Sequence, residues 1–176
     1  MSDTKQKPTL AAKAGQKGID PRGPRFVAGI TAVSLLIVVG LGLATPLGAT
    51  LGARASEPAF ILFAALTLLF LWGAVAGAPR HPYSALFRAV IRPRLSPPEG
   101  LEDPIPVTFA QGVGFVITLV GAVLHLAGVP YALVIAASAA FVAAFLNSVF
   151  AFCLGCQIYL LLVRAGLLGR KGAATA

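Results

Sequence analysis

Four long apolar runs separated by short polar stretches set the architecture of this chain. Residues 26–53, 58–79, 107–128 and 129–163 contain no Asp, Glu, Lys or Arg. An α-helix rises about 1.5 Å per residue, so about 20 apolar residues cross the ~30 Å hydrocarbon core of a bilayer. Each run is long enough to do so. Only residues 80–108 form a sizeable polar loop, in which Pro82, Pro93, Pro97, Pro98, Pro104 and Pro106 interrupt regular structure. The pattern predicts an all-α integral membrane protein with four transmembrane helices. It divides the chain into a disordered basic tail (1–24), a transmembrane domain (25–164) with its central loop at about 80–108, and a flexible basic tail (165–176).

The first run follows about two dozen polar residues and outlasts the ~7–15-residue apolar stretch of a cleaved signal, so it is read as a retained span. It is expected to end near Ala44-Thr45-Pro46, where proline removes a backbone donor. The fourth run exceeds the bilayer thickness and must tilt, break or emerge, with Gly155 the expected place of a kink. In the central loop, Leu86, Phe87, Val90 and Ile91 fall on one side of a helical projection and Arg88 and Arg92 on the other. That is the pattern of a short helix lying in the membrane interface. Gly73 and Gly77, then Gly114, Gly121 and Gly128, and finally Ala136, Ala140 and Ala144 recur at spacings that make smooth helix faces for close packing.

A weak internal repeat overlays two hairpins. Phe26-Val27-Ala28-Gly29 matches Phe109-Ala110-Gln111-Gly112, Pro46 matches Pro130, and Tyr83 with Arg88 matches Tyr159 with Arg164. The expectation is two hairpins running parallel, related by an axis along the membrane normal, which puts His81 and the cysteines at equivalent depths.

Composition sharpens this reading. The chain is 57% hydrophobic and 11% charged, with a mean hydropathy of +0.86, which excludes a soluble domain of any size. Its net charge of +8 is unevenly placed: basic residues precede the first span, sit between the second and third, and follow the fourth, leaving only Arg54 elsewhere. Lys and Arg near span ends are retained in the cytoplasm, so both termini and the central loop are expected there. The basic character then answers to the lipid bilayer and its anionic headgroups, and no nucleic acid partner is called for.

The candidate chemistry lies in Phe152-Cys153-Leu154-Gly155-Cys156, which holds the only two cysteines. At i and i+3 of a helix, two thiols face the same way and suit dithiol exchange. A cytoplasmic location implies that they rest reduced. They could instead be inert packing thiols, or two soft ligands of a metal shared between protomers, for which His81 is the one plausible third ligand within the chain. Arg80, Arg88 or His81, if adjacent, would stabilise a thiolate. Asn147, one to two turns deeper, reads as an interhelical hydrogen-bond partner supporting the pair, and His125 as a polar group at the opposite interface. No nucleotide loop, HExxH motif, serine nucleophile elbow or paired intramembrane carboxylate is present, and no cofactor is expected.

Several segments together resemble a known bacterial membrane family, the domain of unknown function 4395. They are Asp20-Pro21-Arg22-Gly23-Pro24-Arg25-Phe26, His81-Pro82-Tyr83, Arg92-Pro93-Arg94-Leu95, Phe109-Ala110-Gln111-Gly112, and Ala144-Phe145-Leu146-Asn147 running into Phe152-Cys153-Leu154-Gly155-Cys156. The resemblance implies a four-helix protein of the bacterial cytoplasmic (inner) membrane and assigns it no biochemical activity. Through the company such proteins' genes keep, it also implies a thioredoxin-like or sulfurtransferase partner. Three function classes follow: a thiol-redox or sulfur-relay component using Cys153 and Cys156, a non-enzymatic structural or accessory subunit, and a small transporter of a sulfur species, which with four helices would need to form a homo-oligomer.

Overall fold

A computed structural model describes residues 10–12, 15 and 17–168. The helices are α1 (Arg22–Ala44), α2 (Leu51–Ala55), α3 (Pro58–Ala76), α4 (Pro82–Leu86), α5 (Pro104–Leu126), α6 (Ala132–Phe150) and α7 (Leu154–Arg164). Four of them, α1, α3, α5 and α6, are long and apolar enough to cross a membrane. Two prolines that the sequence reading takes as interruptions, Pro82 and Pro104, here open helices, as Pro58 does at the start of the second run, where the missing N–H costs nothing. Asp103 caps α5 by accepting the Ile105 N–H at 2.9 Å.

Small residues report how the long helices run. Gly29 near the start of α1 faces Ser148 near the end of α6, and Gly42 near the end of α1 faces Leu133 and Val134 at the start of α6. Likewise Gly73 meets Gln111, Gly114 meets Phe70, and Gly121 meets Phe63 and Ala136. Helices α1 and α6 are therefore antiparallel neighbours, as are α3 and α5, and α5 and α6. With contacts between α1 and α3 closing the ring, the bundle reads α1, α3, α5, α6 around its axis, alternating in direction. Not every glycine expected on a packing helix face lies on one. Gly77 and Gly128 lie beyond the ends of α3 and α5 with φ of 89° and 88°, backbone conformations that favour glycine.

The starts of α1 and α5, the ends of α3 and α6, and the short helices α4 and α7 share one end of the bundle, here called the cysteine end. The opposite half holds the dry core: Leu35, Val38, Phe63, Leu66, Leu133 and Ala137 pack with Ala59, Ala122, Ala136 and Ala140. Around the circumference Val33, Leu36, Leu68, Trp72, Val116, Val120, Ile135 and Val149 stand exposed, an apolar belt consistent with contact with a lipid bilayer.

The chain before α1, expected to lack structure, is paired where it is described. Ile19 and Glu102 exchange both backbone hydrogen bonds at 2.9 Å, Ala12 donates to the Leu101 carbonyl, and Asp103 donates to that of Leu10. The rest of that tail (1–9, 13, 14 and 16) and the end of the C-terminal tail (169–176) lie outside the described residues. The central segment forms α4, then a wider π turn over 87–91 and a 3-10 turn over 92–94. Its Phe87 is buried against Phe26, with ring centroids 5.7 Å apart.

A cysteine-bearing helix start beside a membrane cavity

The 129–163 run breaks, and the break makes the site. Helix α6 stops at Phe150, Ala151 adopts a left-handed conformation (φ 55°), and the N–H groups of Ala151 and Phe152 both return to the Leu146 carbonyl. That conformation costs a non-glycine residue about 1–2 kcal/mol, so surrounding contacts must hold it. One of them comes from Arg25, whose guanidinium donates to the Ser148 and Val149 carbonyls at the end of α6 (3.2–3.4 Å). Gly155 is not the hinge. It lies in the first turn of α7 against Ala110 of α5, where a Cβ would stand 2.6 Å from the Ala110 Cβ.

Cys153 is consequently the N-cap of α7 rather than a residue within a helix. Its sulfur accepts the Cys156 N–H at 3.3 Å, and the two sulfurs are joined as a disulfide, with Cα atoms 5.2 Å apart. The junction thus accommodates the oxidised form, whereas a cytoplasmic location alone implies a resting dithiol. In a reduced pair the helix start would favour a thiolate at Cys153, through the N–H it presents and the positive end of the α7 dipole. The two sulfurs have different surroundings. Cys156 is 1% exposed and packs with Ala78 and Val107, while Cys153 is partly exposed on the wall of a cavity.

That cavity, about 840 Å³, occupies the cysteine half of the bundle between α1, α5, α6 and α7. Ala140 and Ala144, expected only to pack, line it together with Gly114. Asn147 and Gln111 supply amides inside, and Lys17, Asp20, Arg88 and Arg92 supply charge at the end where α1 begins. Asp20 is buried and grips Arg22 through two side-chain bonds of 3.0 and 2.8 Å, with Arg92 at 4.0 Å. The Arg22 guanidinium holds the Asp20 carboxyl below the usual carboxylate range, against the opposing effect of burial.

Segments far apart in sequence therefore meet at this end: Asp20 to Phe26, Arg92, Gln111, Asn147 and the cysteines. The profile of one family, Domain of unknown function (DUF4395), matches residues 19–164. The chain belongs to this family. No curated protein and no solved structure matches it.

Of the remaining sequence-predicted residues, His81 and Arg80 lie off the cavity wall that Cys153 lines. His81, 3% exposed, caps α4: its Nδ1 accepts the Tyr83 N–H at 3.2 Å and its ring meets Tyr83 edge-on. Burial pulls its pKa below the usual histidine range, with a backbone hydrogen bond at Leu69 working the other way. It does not line the cavity. Arg80 donates to the Ala76 carbonyl and borders a separate groove with Phe109 and Tyr159. Arg88 and Arg92 are the guanidinium-bearing residues on the cavity wall. Among the described residues no group of three or more His, Cys, Asp and Glu gathers to hold a metal ion.

Two features escape the sequence reading. Gln111 is quoted there only within a repeat and a family segment, although a lone amide in an apolar span is a functional signal in its own right. Glu57, between α2 and α3, folds onto His125 at the opposite end of the bundle. Its carboxylate lies 3.2 Å from the imidazole Nε2 without good hydrogen-bond alignment, and it accepts the Gly48 N–H at 2.8 Å. His125 also stacks on Phe60. Sequence alone does not join a loop acid to a helix end 68 residues later.

Proposed function

We propose that this protein is a multi-pass component of the bacterial cytoplasmic membrane that relays reducing equivalents by thiol–disulfide exchange. Cys153 is the sulfur that forms the mixed disulfide with a dithiol partner, and Cys156 is the second sulfur, released as a thiol when the partner opens the Cys153–Cys156 disulfide. The observation that carries the reading is their asymmetry at the start of α7: Cys153 caps the helix on a cavity wall, and Cys156 is sealed behind it. Exchange needs an accessible sulfur of thiolate character with a second thiol in reach, and a partly exposed Cys153 at a helix start beside Cys156 supports that reading. In this reading the cysteine end faces the cytoplasm, in keeping with the basic residues before α1, between α3 and α5, and after α7. The exposed Trp72, whose Nε1 donates to the Arg80 carbonyl at 3.1 Å, suits an interfacial position. The segment 82–94 then lies along the inner interface, where a thioredoxin-like partner would dock.

The two halves are read as parallel-related hairpins. Helix α4 returns against α1 after α3, as α7 returns against α5 after α6. Both short helices also begin with a side-chain cap, His81 in one and Cys153 in the other.

The test is a trapping experiment. Cys156→Ser leaves Cys153 without its resolving partner, so when membranes meet a thioredoxin-like protein whose single active-site cysteine is activated as a mixed disulfide with thionitrobenzoate, Cys153 should displace thionitrobenzoate and hold that protein in a stable mixed disulfide. Cys153→Ser should form little. Equal trapping by both variants, or none by either, would contradict the assignment.

A further inference from the structure

The hollow half of the bundle calls for an occupant. Its cavity reaches Thr31 and Ile117, roughly 14 Å and 20 Å past the starts of α1 and α5 at 1.5 Å per residue. It therefore extends well inside a ~30 Å hydrocarbon layer. Its volume of about 840 Å³ falls within the ~300–1,000 Å³ of small-molecule sites. Alanines of α6, among them Ala139, Ala140 and Ala143, leave the space open. Gln111 borders the space, and its Oε1 is buried beside Gly73 of α3 without a hydrogen-bond partner among the described residues. An amide in lipid-like surroundings must be satisfied from within, and Gln111 can accept from a hydroxyl or donate to a carbonyl.

The chemistry of the wall narrows the ligand. If Cys153 and Cys156 exchange with a dithiol partner, they are left reduced and must pass on two electrons and two protons. An acceptor within this cavity has to be lipid-soluble, carry hydrogen-bonding oxygens, and take both electrons. A quinone meets all three conditions.

We propose that the cavity binds a membrane quinone, which reoxidises the Cys153–Cys156 dithiol. The inference rests on the thiol-exchange reading and adds its electron acceptor. Two S–H bonds break and one S–S bond forms, so the cysteines are oxidised by two electrons. The quinone carbonyl oxygens take the two electrons and two protons and become the hydroxyls of a quinol. Gln111 and Asn147 are positioning residues, holding the ring against Cys153 as a carbonyl becomes a hydroxyl.

The experiment uses the full chain in lipid nanodiscs, reduced and freed of reductant, and mixed with a short-chain quinone whose ring is fully substituted so that a thiol cannot add to it. Ultraviolet absorbance follows the quinone, and alkylation with mass readout follows the cysteines. One quinone should be consumed per disulfide formed. Ala143→Phe, which fills the cavity, should slow that reaction at least tenfold, while oxidation by the water-soluble reagent diamide stays at the wild-type rate and reports an intact fold. Gln111→Ala should raise the quinone concentration needed for half-maximal rate, again without affecting diamide. Equal quinone rates in wild type and Ala143→Phe, as expected if an acyl chain fills the cavity, would overturn the proposal. A pair that reacts with diamide and a dithiol partner but not with quinone would overturn it and leave thiol exchange standing. A pair inert to all of them would overturn both.

Discussion

At the scale of single residues, Cys153 and Cys156 differ in surroundings because of one backbone torsion, the positive φ of Ala151. Two thiols three apart at the end of an apolar run stand out in any reading, but a continuous helix would present them alike. Only the left-handed turn at Ala151 makes Cys153 a cap and buries Cys156, and no proline or glycine at that position announces it. Asp20 was likewise visible as part of a family segment without its role. Its carboxyl, held below its ordinary value of 3.8 mainly by Arg22, ties the chain before α1 to the cysteine end. A depressed carboxylate pKa stabilises the fold above its unfolded-state value, and that contribution is lost as pH falls through the folded-state value. Asp20→Asn should therefore lower the thermal midpoint at pH 7 and speed amide exchange at Ile19. The gap from wild type should close once the pH falls well below 3.8, and a gap that persisted unchanged there would rule out the charge as its origin.

At the scale of elements, the four spans followed from uninterrupted apolar length, and the end of α1 at Ala44 matches its reading. The break between α6 and α7 was foreseen only as one of three ways to accommodate too long a run. Gly155 drew the prediction of a kink because glycine usually supplies flexibility, whereas here it supplies room. A Cβ at that position would lie 2.6 Å from the Cβ and 2.7 Å from the Cα of Ala110. Gly155→Ala should therefore push α7 off α5 and destabilise the protein by about 1–2 kcal/mol, overpacking outweighing the gain in helix propensity. Adding Ala110→Gly should recover part of the loss. Strict additivity of the two changes in thermal unfolding would show that the contact is not the cause.

For the molecule as a whole, sequence periodicity shows which helices are apolar but not which half of a bundle is filled. Ala136, Ala140 and Ala144 share a face, yet Ala136 sits in the dry core, Ala144 lines the cavity, and Ala140 touches both. The difference depends on what the other helices place opposite. Large side chains such as Phe63 and Leu133 fill the half away from the cysteines, whereas in the half beside them Phe70, Phe87 and Ile117 stand on the wall of a cavity among the described residues. A membrane bundle packed at one end and hollow at the other, with a redox-capable pair on the hollow wall, is the central claim. It is tested most directly by differential alkylation of Cys153 and Cys156 in intact membranes, before and after reduction, across a pH series with mass readout. The account predicts a reducible disulfide between them and, after reduction, alkylation of Cys153 well before Cys156, persisting below pH 7. Two slow thiols that are always reduced and equally reactive would contradict it.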